Sequence, residues 1–352
     1  MTLEDELKAR IQDTGPLTIA DYMAECLLHP CHGYYTTQDP LGRAGDFITA
    51  PEISQMFGEL LGLFLAQCWI DQRSPSTIRL VELGPGRGTL MADILRATKA
   101  VPGFHQAADL HLVEASPTLR AKQRDTIAHP LTHHDDLNGV PDGPLFLVAN
   151  EFFDALPIRQ FQRDKKGWRE RLIGLNDGTL SLGLSDPTAP AFLNQHTDDT
   201  KLGDIVEISV PSQTIASHIG KRIANQGGIA LIIDYGDWRS LGDTFQAIRA
   251  HEKVSPFDTP GSADLTAHVD FEALATAASP AAHTRLTPQG VFLERLGITP
   301  RAQALANSLS GEALENHVAA HHRLTHPDQM GTLFKAMAIY PSDSPQPPGF
   351  AQ

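Results

Sequence analysis

The residues best suited to binding a ligand lie in the glycine-rich run from Glu82 to Gly88. Because glycine has no side chain, Gly84, Gly86 and Gly88 allow the backbone to turn sharply and to approach a bound molecule closely. Their spacing is G-x-G-x-G, whereas dinucleotide-binding loops use G-x-G-x-x-G. A phosphate-binding P-loop would contain Gly-Lys-Ser or Gly-Lys-Thr, and neither follows here. The run therefore favours a ligand that carries no phosphate.

Two carboxylates near this run limit which ligands it can bind. Glu82 comes directly before the glycines and suits an ammonium group. S-adenosylmethionine has an α-ammonium group and no phosphate, so we predict that it is the ligand. Glu114 ends the next strand, where a carboxylate can accept hydrogen bonds from both ribose hydroxyls; NAD enzymes use the same device, so Glu114 alone does not discriminate. A tight turn that binds nothing is the alternative.

A second polar group follows the strand that ends at Asn150. Asn150, Glu151 and Asp154 would face the crevice at the carboxyl ends of the strands. Methyl transfer depends on positioning and electrostatics, and a guanidinium nucleophile is cationic and offers only hydrogen-bond donors. Glu151 and Asp154 could hold such a group and draw its charge away from the attacking nitrogen. Alternatively, Glu151 caps a helix and Asp154 is solvated.

Three further stretches contain residues that could bind ligands. Asp46 and Thr49 belong to a segment that could form a wall or lid of the site, although a helix cap at Thr49 with Glu52 explains part of it. The run from His133 to Asp136, which includes Asp135, could be a metal site but is predicted to be a loop that contacts an adenine ring, with a solvated loop as the alternative. Cys26, His29, Cys31 and His32 lack paired ligand spacing, so we predict no metal site.

Strands and helices alternate around these residues. Apolar strands are predicted at 78–83, 110–113, 145–149 and 228–233, with helices between them. This order is typical of right-handed crossovers, so we predict an α/β fold with a doubly wound, mostly parallel, Rossmann-like sheet. A last strand at 333–339 is placed at the sheet edge.

The chain divides into four predicted regions. Residues 1–75 form an N-terminal helical extension that packs on the catalytic domain, which comprises 76–155 and 212–340. Residues 156–211 have the pattern of antiparallel strands around polar turns and are predicted to form an inserted β subdomain. The segment 341–352 is rich in Pro, Ser and Gln and is predicted to be a flexible tail.

Bulk composition limits the partners and the compartment. The net charge of −14 repels a phosphate backbone, so nucleic acid is not expected as a partner, whereas a basic protein segment would be attracted. Three cysteines cannot form a disulfide framework, which indicates a reducing compartment. The longest apolar stretch, 60–70, is too short to span a bilayer. A cytoplasmic location is expected, or the mitochondrial matrix for a processed organellar homologue.

Ordered sequence blocks resemble the MidA family, the mitochondrial complex I assembly methyltransferases and their bacterial relatives. The blocks are 33–35, 45–55, 82–88, 150–157, 234–236, 260–266 and 331–335. The resemblance implies a class I methyltransferase fold with S-adenosyl-L-methionine as methyl donor and S-adenosyl-L-homocysteine as product. For the mitochondrial members it also implies symmetric dimethylation of an arginine on a core peripheral-arm subunit of complex I.

The resemblance also implies roles for particular residues. Glu82 with the three glycines would hold the methionine end of the cofactor, Glu114 the ribose, and Asp135 would lie near the adenine. The assignment of Glu151 and Asp154 as the acidic pair at the methyl acceptor follows from the chemistry more than from the resemblance.

The first hypothesis is a protein arginine N-methyltransferase. Two alternatives stay open: a methyltransferase of a small metabolite or of another side chain, and a non-catalytic, cofactor-binding assembly factor. The sequence does not give the oligomeric state.

Overall fold

Capping side chains determine where the first helices begin. The structure is a computed structural model that describes residues 1–37 and 49–350. The Thr2 hydroxyl accepts a hydrogen bond from the Asp5 amide at 3.2 Å, and the Asp5 carboxylate accepts one from the Thr2 amide at 2.9 Å. Thr18 and Asp21 repeat this capping box. The N-terminal elements are α1 (Leu3–Thr14), β1 (Leu17–Thr18), α2 (Ile19–Leu28), α3 (Tyr34–Thr37), α4 (Ala50–Ile53) and α5 (Gln55–Asp71).

The helix predicted to start at Thr49 is divided in two. The chain leaves the helical conformation at Ser54, where φ is −158°, and the Ser54 hydroxyl accepts from the Met56 amide at 3.2 Å. Ser54 therefore caps the long helix α5, and Thr49 precedes only the four-residue helix α4. Most of α5 is buried, which explains why its apolar residues surround the helix rather than forming one stripe.

Alternating strands and helices follow α5. They are β2 (Ile78–Leu83), α6 (Thr89–Thr98), α7 (Phe104–Ala107), β3 (Ala108–Val113), α8 (Pro117–Thr126), β4 (Thr132–His134) and β5 (Leu145–Asn150). Four strands come next: β6 (Arg159–Asp164), β7 (Gly167–Asn176), β8 (Thr179–Leu184) and β9 (Ile205–Ile208). The chain then returns to the alternating pattern with α9 (Val210–Gln226) and β10 (Gly228–Asp237).

The remaining elements are strands of two sheets and further helices. They are β11 (Gln246–Arg249), β12 (Glu252–Val254), β13 (Asp264–Thr266), β14 (Val269–Asp270), α10 (Phe271–Ala277), β15 (Ala282–His283), β16 (Thr287–Pro288), α11 (Gln289–Leu296), α12 (Ile298–Ala306), α13 (Gly311–Thr325) and β17 (Phe334–Tyr340). None of the helices in residues 1–37 and 49–350 combines the length and the apolar character that a bilayer crossing needs.

The central sheet confirms the predicted α/β architecture. Its strand order is β15-β17-β10-β5-β2-β3-β4. The strands from β10 to β4 are parallel, and β17 runs antiparallel to β10. The chain moves outward from β2 to β4 and then returns to β5 on the other side of β2. The crevice above the carboxyl ends of β2 and β5 is therefore the expected ligand site of a doubly wound sheet.

Apolar side chains bury both faces of this sheet. Along β5, Phe146 and Val148 pack on one face with α5 and α6, and Leu145 and Leu147 pack on the other with α9 and α10. This two-sided burial explains the continuous apolar runs that identify the parallel strands in the sequence.

Antiparallel strands form two smaller sheets. The first has the order β1-β7-β6-β9, with β8 on β7, so the predicted insertion also pairs with the N-terminal strand β1. The second, β12-β11-β13, lies at residues 246–266 and was not predicted. Two-residue strands β15 and β16 pair with β17, so β17 is not the outermost strand.

The C-terminal segment differs from the flexible tail that its composition predicts. Phe350 is only 8% exposed. Its ring centroid lies 4.8 Å from that of Phe292 and 6.3 Å from that of Phe64. Because an aromatic ring buries a large apolar area, Phe350 helps to hold this polar segment against the helices, together with the buried Pro347.

We expect Phe350→Ala to lower the free energy of unfolding by about 3 kcal/mol, since it removes a buried ring from a packed aromatic cluster. Urea unfolding followed by circular dichroism measures the change. Phe192, which is 49% exposed, provides the matched control as Phe192→Ala. Equal stabilities of the two variants would show that the ring of Phe350 does not hold the segment.

Candidate active site

The carboxyl ends of the parallel strands open into one cleft of about 1020 Å³. Its lining includes these predicted site residues: Thr49, Glu82, Gly84, Gly86, Glu114, Asp135, Asn150, Glu151 and Asp154. Asp46 lies outside the described residues. The parallel topology brings these side chains together because each of β2, β3 and β5 ends at the same edge of the sheet.

The glycine loop after β2 has the backbone conformation that its sequence predicts. The φ angles of Gly84, Gly86 and Gly88 are +62°, +53° and +83°, a region that other residues rarely adopt. A Cβ at Gly84 would lie 2.9 Å from the ring of Phe152. A Cβ at Gly88 would lie 3.0 Å from the Ile127 side chain, so this glycine faces α8. Gly88 therefore also allows close helix packing, and the contact of all three glycines with the cofactor stays a prediction.

Glu82 carries a buried oxygen whose hydrogen-bonding capacity is unused. The residue is 3% exposed, and its Oε2 atom has no hydrogen-bond partner within residues 1–37 and 49–350. Burial, together with the negative charge of Glu114, raises the pKa of Glu82 to about 8. A cation bound here would offset both the cost of burying the carboxylate and its repulsion by Glu114. It would pair with the negative charge and compensate for the lost hydration.

Glu114 is held rigidly at the end of β3. One carboxylate oxygen accepts from the Ser116 amide at 2.8 Å, and the other accepts from Gln123 Nε2 at 3.3 Å. Burial raises the pKa of this carboxyl as well. The two hydrogen bonds fix the direction of the carboxylate, which lines the cleft and retains capacity to accept further hydrogen bonds.

Asp135 lies at the rim of the cleft. Its carboxylate pairs with the Arg120 guanidinium, and its side chain is 90% exposed. The neighbouring Asp136 instead accepts from the amides of Asn138 and Gly139 at 2.8 and 3.2 Å. Leu137 and Asn138 line the cleft beside them. The predicted adenine loop is therefore present at the cleft, with Asp135 directed toward Arg120.

Asn150 and Glu151 form a connected pair after β5. Asn150 Nδ2 donates to Glu151 Oε1 at 2.9 Å, and the Ala50 amide donates to the same oxygen at 3.2 Å. Glu151 has a φ of +53°, an unfavourable conformation for a residue with a side chain. Burial, followed by the charge of Asp154, raises the pKa of Glu151 to about 7. Glu151 thus contacts the first residue of α4 rather than capping a helix of its own.

Asp154 belongs to an acidic group that sequence reasoning found only in part. It is 7% exposed, its Oδ1 has no hydrogen-bond partner among the described residues, and burial raises its pKa to about 6. Asp264, Tyr35 and Tyr235 line the same cleft. The Tyr35 hydroxyl donates to Asp264 Oδ1 at 2.8 Å. These three residues lie in sequence blocks that support the family resemblance, but no spacing connected them with Asp154.

A fully buried carboxylate, Asp234 at the end of β10, shapes the loop that carries Glu151 and Asp154. Asp234 Oδ2 accepts from the amides of Phe152, Phe153 and Asp154 at 3.2, 2.9 and 3.3 Å. Its other oxygen accepts from the Tyr235 amide at 2.9 Å. Such a set of backbone hydrogen bonds holds the loop in one conformation.

Thr49 lines the cleft, and its side chain makes no capping hydrogen bond within the described ranges. Glu52 also departs from the expected capping role, because its carboxylate accepts from the Thr89 hydroxyl at 2.6 Å. The side chain of Glu52 therefore connects α4 to α6 across the cleft. In residues 1–37 and 49–350 no group of three or more His, Cys, Asp or Glu side chains is arranged to hold a metal ion.

Known proteins are similar to this chain in sequence and fold. Residues 60–289 match the family model of S-adenosyl-L-methionine-dependent methyltransferases. The protein arginine methyltransferase NDUFAF7, mitochondrial, of Xenopus tropicalis is 37% identical over 370 residues, covering 96% of this chain and 86% of that one. The protein of that name from Homo sapiens is 36% identical over 365 residues, covering 95% and 82%.

A solved structure also resembles this chain along nearly its whole length. It comes from Burkholderia thailandensis and was crystallised with S-adenosyl-homocysteine bound. The TM-score is 0.83 and the identity 28%, with 96% of this chain and 91% of the other covered.

We expect Asp234→Asn to loosen the loop at 151–154, since the amide of asparagine would direct donors at backbone N–H groups. Hydrogen exchange of the amides of Phe152, Phe153 and Asp154 should become faster, and the protein should lose about 2 kcal/mol of stability. Mass-spectrometric hydrogen exchange and urea unfolding measure the two effects.

Asp237 offers a matched control three residues along the same strand. It is exposed, and among the described residues its side chain accepts only from the neighbouring Trp238 amide, at 2.7 Å. Asp237→Asn should leave exchange in the loop unchanged. The assignment to Asp234 is rejected if the two variants exchange alike.

Proposed function

Since the chain belongs to the S-adenosyl-L-methionine-dependent methyltransferase family, we propose that it methylates arginine side chains of a protein. It uses S-adenosyl-L-methionine as its cofactor. The observation that carries the arginine assignment is the acidic group formed by Glu151, Asp154 and Asp264, which lines the same cleft as the glycine loop. The names of the relatives described above support the same substrate class.

The glycine-loop end of the cleft fits the cofactor. The unpartnered oxygen of Glu82 would bind the α-ammonium group, and the fixed carboxylate of Glu114 would accept from the ribose hydroxyls. Gly84 and Gly86 would bring the backbone close to the methionine portion, and the loop containing Asp135 would border the adenine. When bound, the cofactor supplies an electrophilic methyl group on a sulfonium.

The acidic end of the cleft fits a guanidinium group. A guanidinium presents N–H donors in a planar fork, and carboxylates match this geometry. Glu151, Asp154 and Asp264 would hold the fork and draw positive charge toward the nitrogens that do not react. Asn150 Nδ2 and the Ala50 amide orient Glu151, and the Tyr35 hydroxyl orients Asp264. The reacting nitrogen would then be directed at the methyl group in the orientation that displacement needs.

Proton transfer completes the reaction. A new N–C bond forms as the S–C bond breaks, and the methylated nitrogen must lose a proton. The pKa of about 7 that burial gives Glu151 suits a group that accepts a proton near neutral pH. We assign Glu151 the role of general base and Asp154 the role of binding and orienting the guanidinium.

We extend the proposal to symmetric dimethylation of an arginine on a peripheral-arm subunit of respiratory complex I. The ordered sequence blocks shared with the MidA family support this substrate. The net charge of −14 favours a basic segment of the partner.

The relatives are named as mitochondrial proteins, so we place the reaction in the mitochondrial matrix for organellar homologues and in the cytoplasm for a bacterial one. Mass-spectrometric mapping after incubation with labelled cofactor and host lysate tests the acceptor, and methylation of small molecules alone would overturn it.

Binding of S-adenosylhomocysteine should release a proton. Below a pH of about 8, Glu82 of the free protein is mostly protonated, and the bound ammonium keeps it ionised. Affinity should therefore rise by up to about tenfold per pH unit as the pH approaches 8 from below, and level off above it. Calorimetry in buffers of different ionisation enthalpy measures the released proton. Glu82→Gln should bind more weakly and lose the pH dependence; a pH-independent affinity in the unmodified protein argues against this contact.

Glu151→Gln should reduce methyl transfer by about a hundredfold or more, because the amide cannot accept the proton. Its oxygen can still accept from Asn150 and Ala50, so the affinity for S-adenosylhomocysteine should change little. Incorporation of labelled methyl groups and calorimetry measure the two quantities. Glu315→Gln, on the exposed side of α13, serves as the control.

The same variant separates catalysis from a purely structural function. If Glu151→Gln lacks transfer activity but still supports assembly of the partner complex in cells, then the protein acts as a cofactor-binding assembly factor. Full transfer activity in this variant would remove Glu151 from the mechanism.

A further inference from the structure

Apolar side chains from two distant parts of the chain line the cleft beyond its carboxylates. One group lies on α2 and the other lies between Asp154 and the start of α9. The residues are Ala24, Leu27 and Leu28 in the first group and Leu156, Pro157 and Val210 in the second. The cleft therefore has apolar walls as well as its cofactor end and its acidic end.

Two of these side chains are strongly exposed to solvent. Leu28 is 47% exposed, although the preceding Leu27 is only 2% exposed. Val210, the first residue of α9, is 55% exposed. A single exposed apolar side chain is common on protein surfaces. Two that converge on the cleft holding the acidic group point to apolar surface that a ligand covers.

Both walls are held in place by contacts behind them. On α2, the Tyr22 hydroxyl donates to the carbonyl of Pro256 at 2.6 Å, and Met23 and Cys26 are buried. On the other wall, the Ser209 hydroxyl donates to the Pro157 carbonyl at 3.0 Å, which ties the start of α9 to the loop after Asp154. A surface held in this way loses little conformational freedom when a ligand binds.

The dimensions of the site suit a peptide segment. A volume of about 1020 Å³ is at the upper end of the range for single small ligands, about 300–1,000 Å³, so space remains beside a nucleoside. The Cα atoms of the two residues next to a bound arginine would lie only about 3.8 Å from the Cα atom of that arginine, so their side chains would be within reach of the cleft walls.

We propose that the apolar walls formed by Leu28, Leu156 and Val210 dock the segment that flanks the methylated arginine, and select aliphatic side chains next to it. This inference rests on the proposed function, because it takes the acidic group as the arginine site. Charge complementarity would position the guanidinium, and burial of aliphatic side chains would supply much of the affinity.

Three synthetic peptides test the proposal on the full chain saturated with S-adenosylhomocysteine. The peptides share one sequence except at the centre, which is Leu-Arg-Leu, Ser-Arg-Ser or Leu-citrulline-Leu. Fluorescence anisotropy measures their affinities. The Leu-Arg-Leu peptide should bind about tenfold or more tightly than Ser-Arg-Ser, since two buried leucines contribute apolar area.

Leu28→Ser and Val210→Ser should each reduce that preference severalfold without changing the affinity for S-adenosylhomocysteine. Leu202→Ser and Val318→Ser are the matched controls, because these residues are 59% and 57% exposed and do not line the cleft. The controls should retain the full preference.

The outcomes distinguish the apolar docking surface from the arginine site. Equal binding of Leu-Arg-Leu and Ser-Arg-Ser, both tighter than the citrulline peptide, overturns the docking surface and leaves the arginine site intact. Equal binding of Leu-Arg-Leu and Leu-citrulline-Leu, both tighter than Ser-Arg-Ser, leaves the surface and overturns the arginine assignment. If no peptide binds, or if Leu28→Ser changes only self-association measured by sedimentation, the proposed occupant is wrong.

Discussion

The arrangement of this protein depends on carboxylates that are withdrawn from water before any cation is bound to them. Glu82 and Asp154 each have a buried oxygen without a hydrogen-bond partner in the described part of the chain. Desolvation disfavours the charged form, which is why the pKa values of these groups and of Glu151 are raised. A ligand with matching positive charge reverses this penalty. The same interaction would therefore give the cleft a preference for cationic ligands.

The parallel sheet makes this concentration of acidic groups possible. Its strands deliver Glu82, Glu114 and Asn150 to one edge, and their backbones are fully paired below the cleft. The loop after β5 needs additional support because Glu151 adopts a positive φ. Asp234 supplies this support by accepting hydrogen bonds from three successive amides. Strain at the site is thus balanced by a rigid contact from the neighbouring strand.

Sequence patterns predicted the elements that are determined by the residues within them. The apolar runs located β2, β3, β5 and β10 because these strands are buried on both faces. The rule that parallel strands present their carboxyl ends at one edge then placed Glu82, Glu114 and Asn150 in a common cleft. Long-range contacts were not predictable in this way. Tyr35 and Asp264 are far apart in the sequence but form a hydrogen bond in the fold, and no periodicity in the sequence predicts such a contact.

The same distinction explains which contacts were not predicted. Gly88 packs on Ile127, directly after α8, and the loop sequence does not encode this contact. The tail has a disordered composition, yet Phe350 and Pro347 are buried in it. Thr49 precedes α4 as expected, but its side chain makes no capping hydrogen bond among the described residues.

On the proposed function, the carboxylates at the two ends of the cleft would allow it to accept two cationic ligands. Burial, followed by the charge of Glu114, raises the pKa of Glu82, and burial, followed by the charge of Asp154, raises that of Glu151. Repulsion between carboxylates thus adds to the cost of burial at each end of the cleft. An ammonium at one end and a guanidinium at the other would each relieve the repulsion at its own end. A sulfonium between them would add a third positive charge, which carboxylates on both sides would stabilise until methyl transfer removes it. Without that charge, S-adenosyl-L-homocysteine would be attracted less strongly to the carboxylates of the cleft, which would favour release of this product.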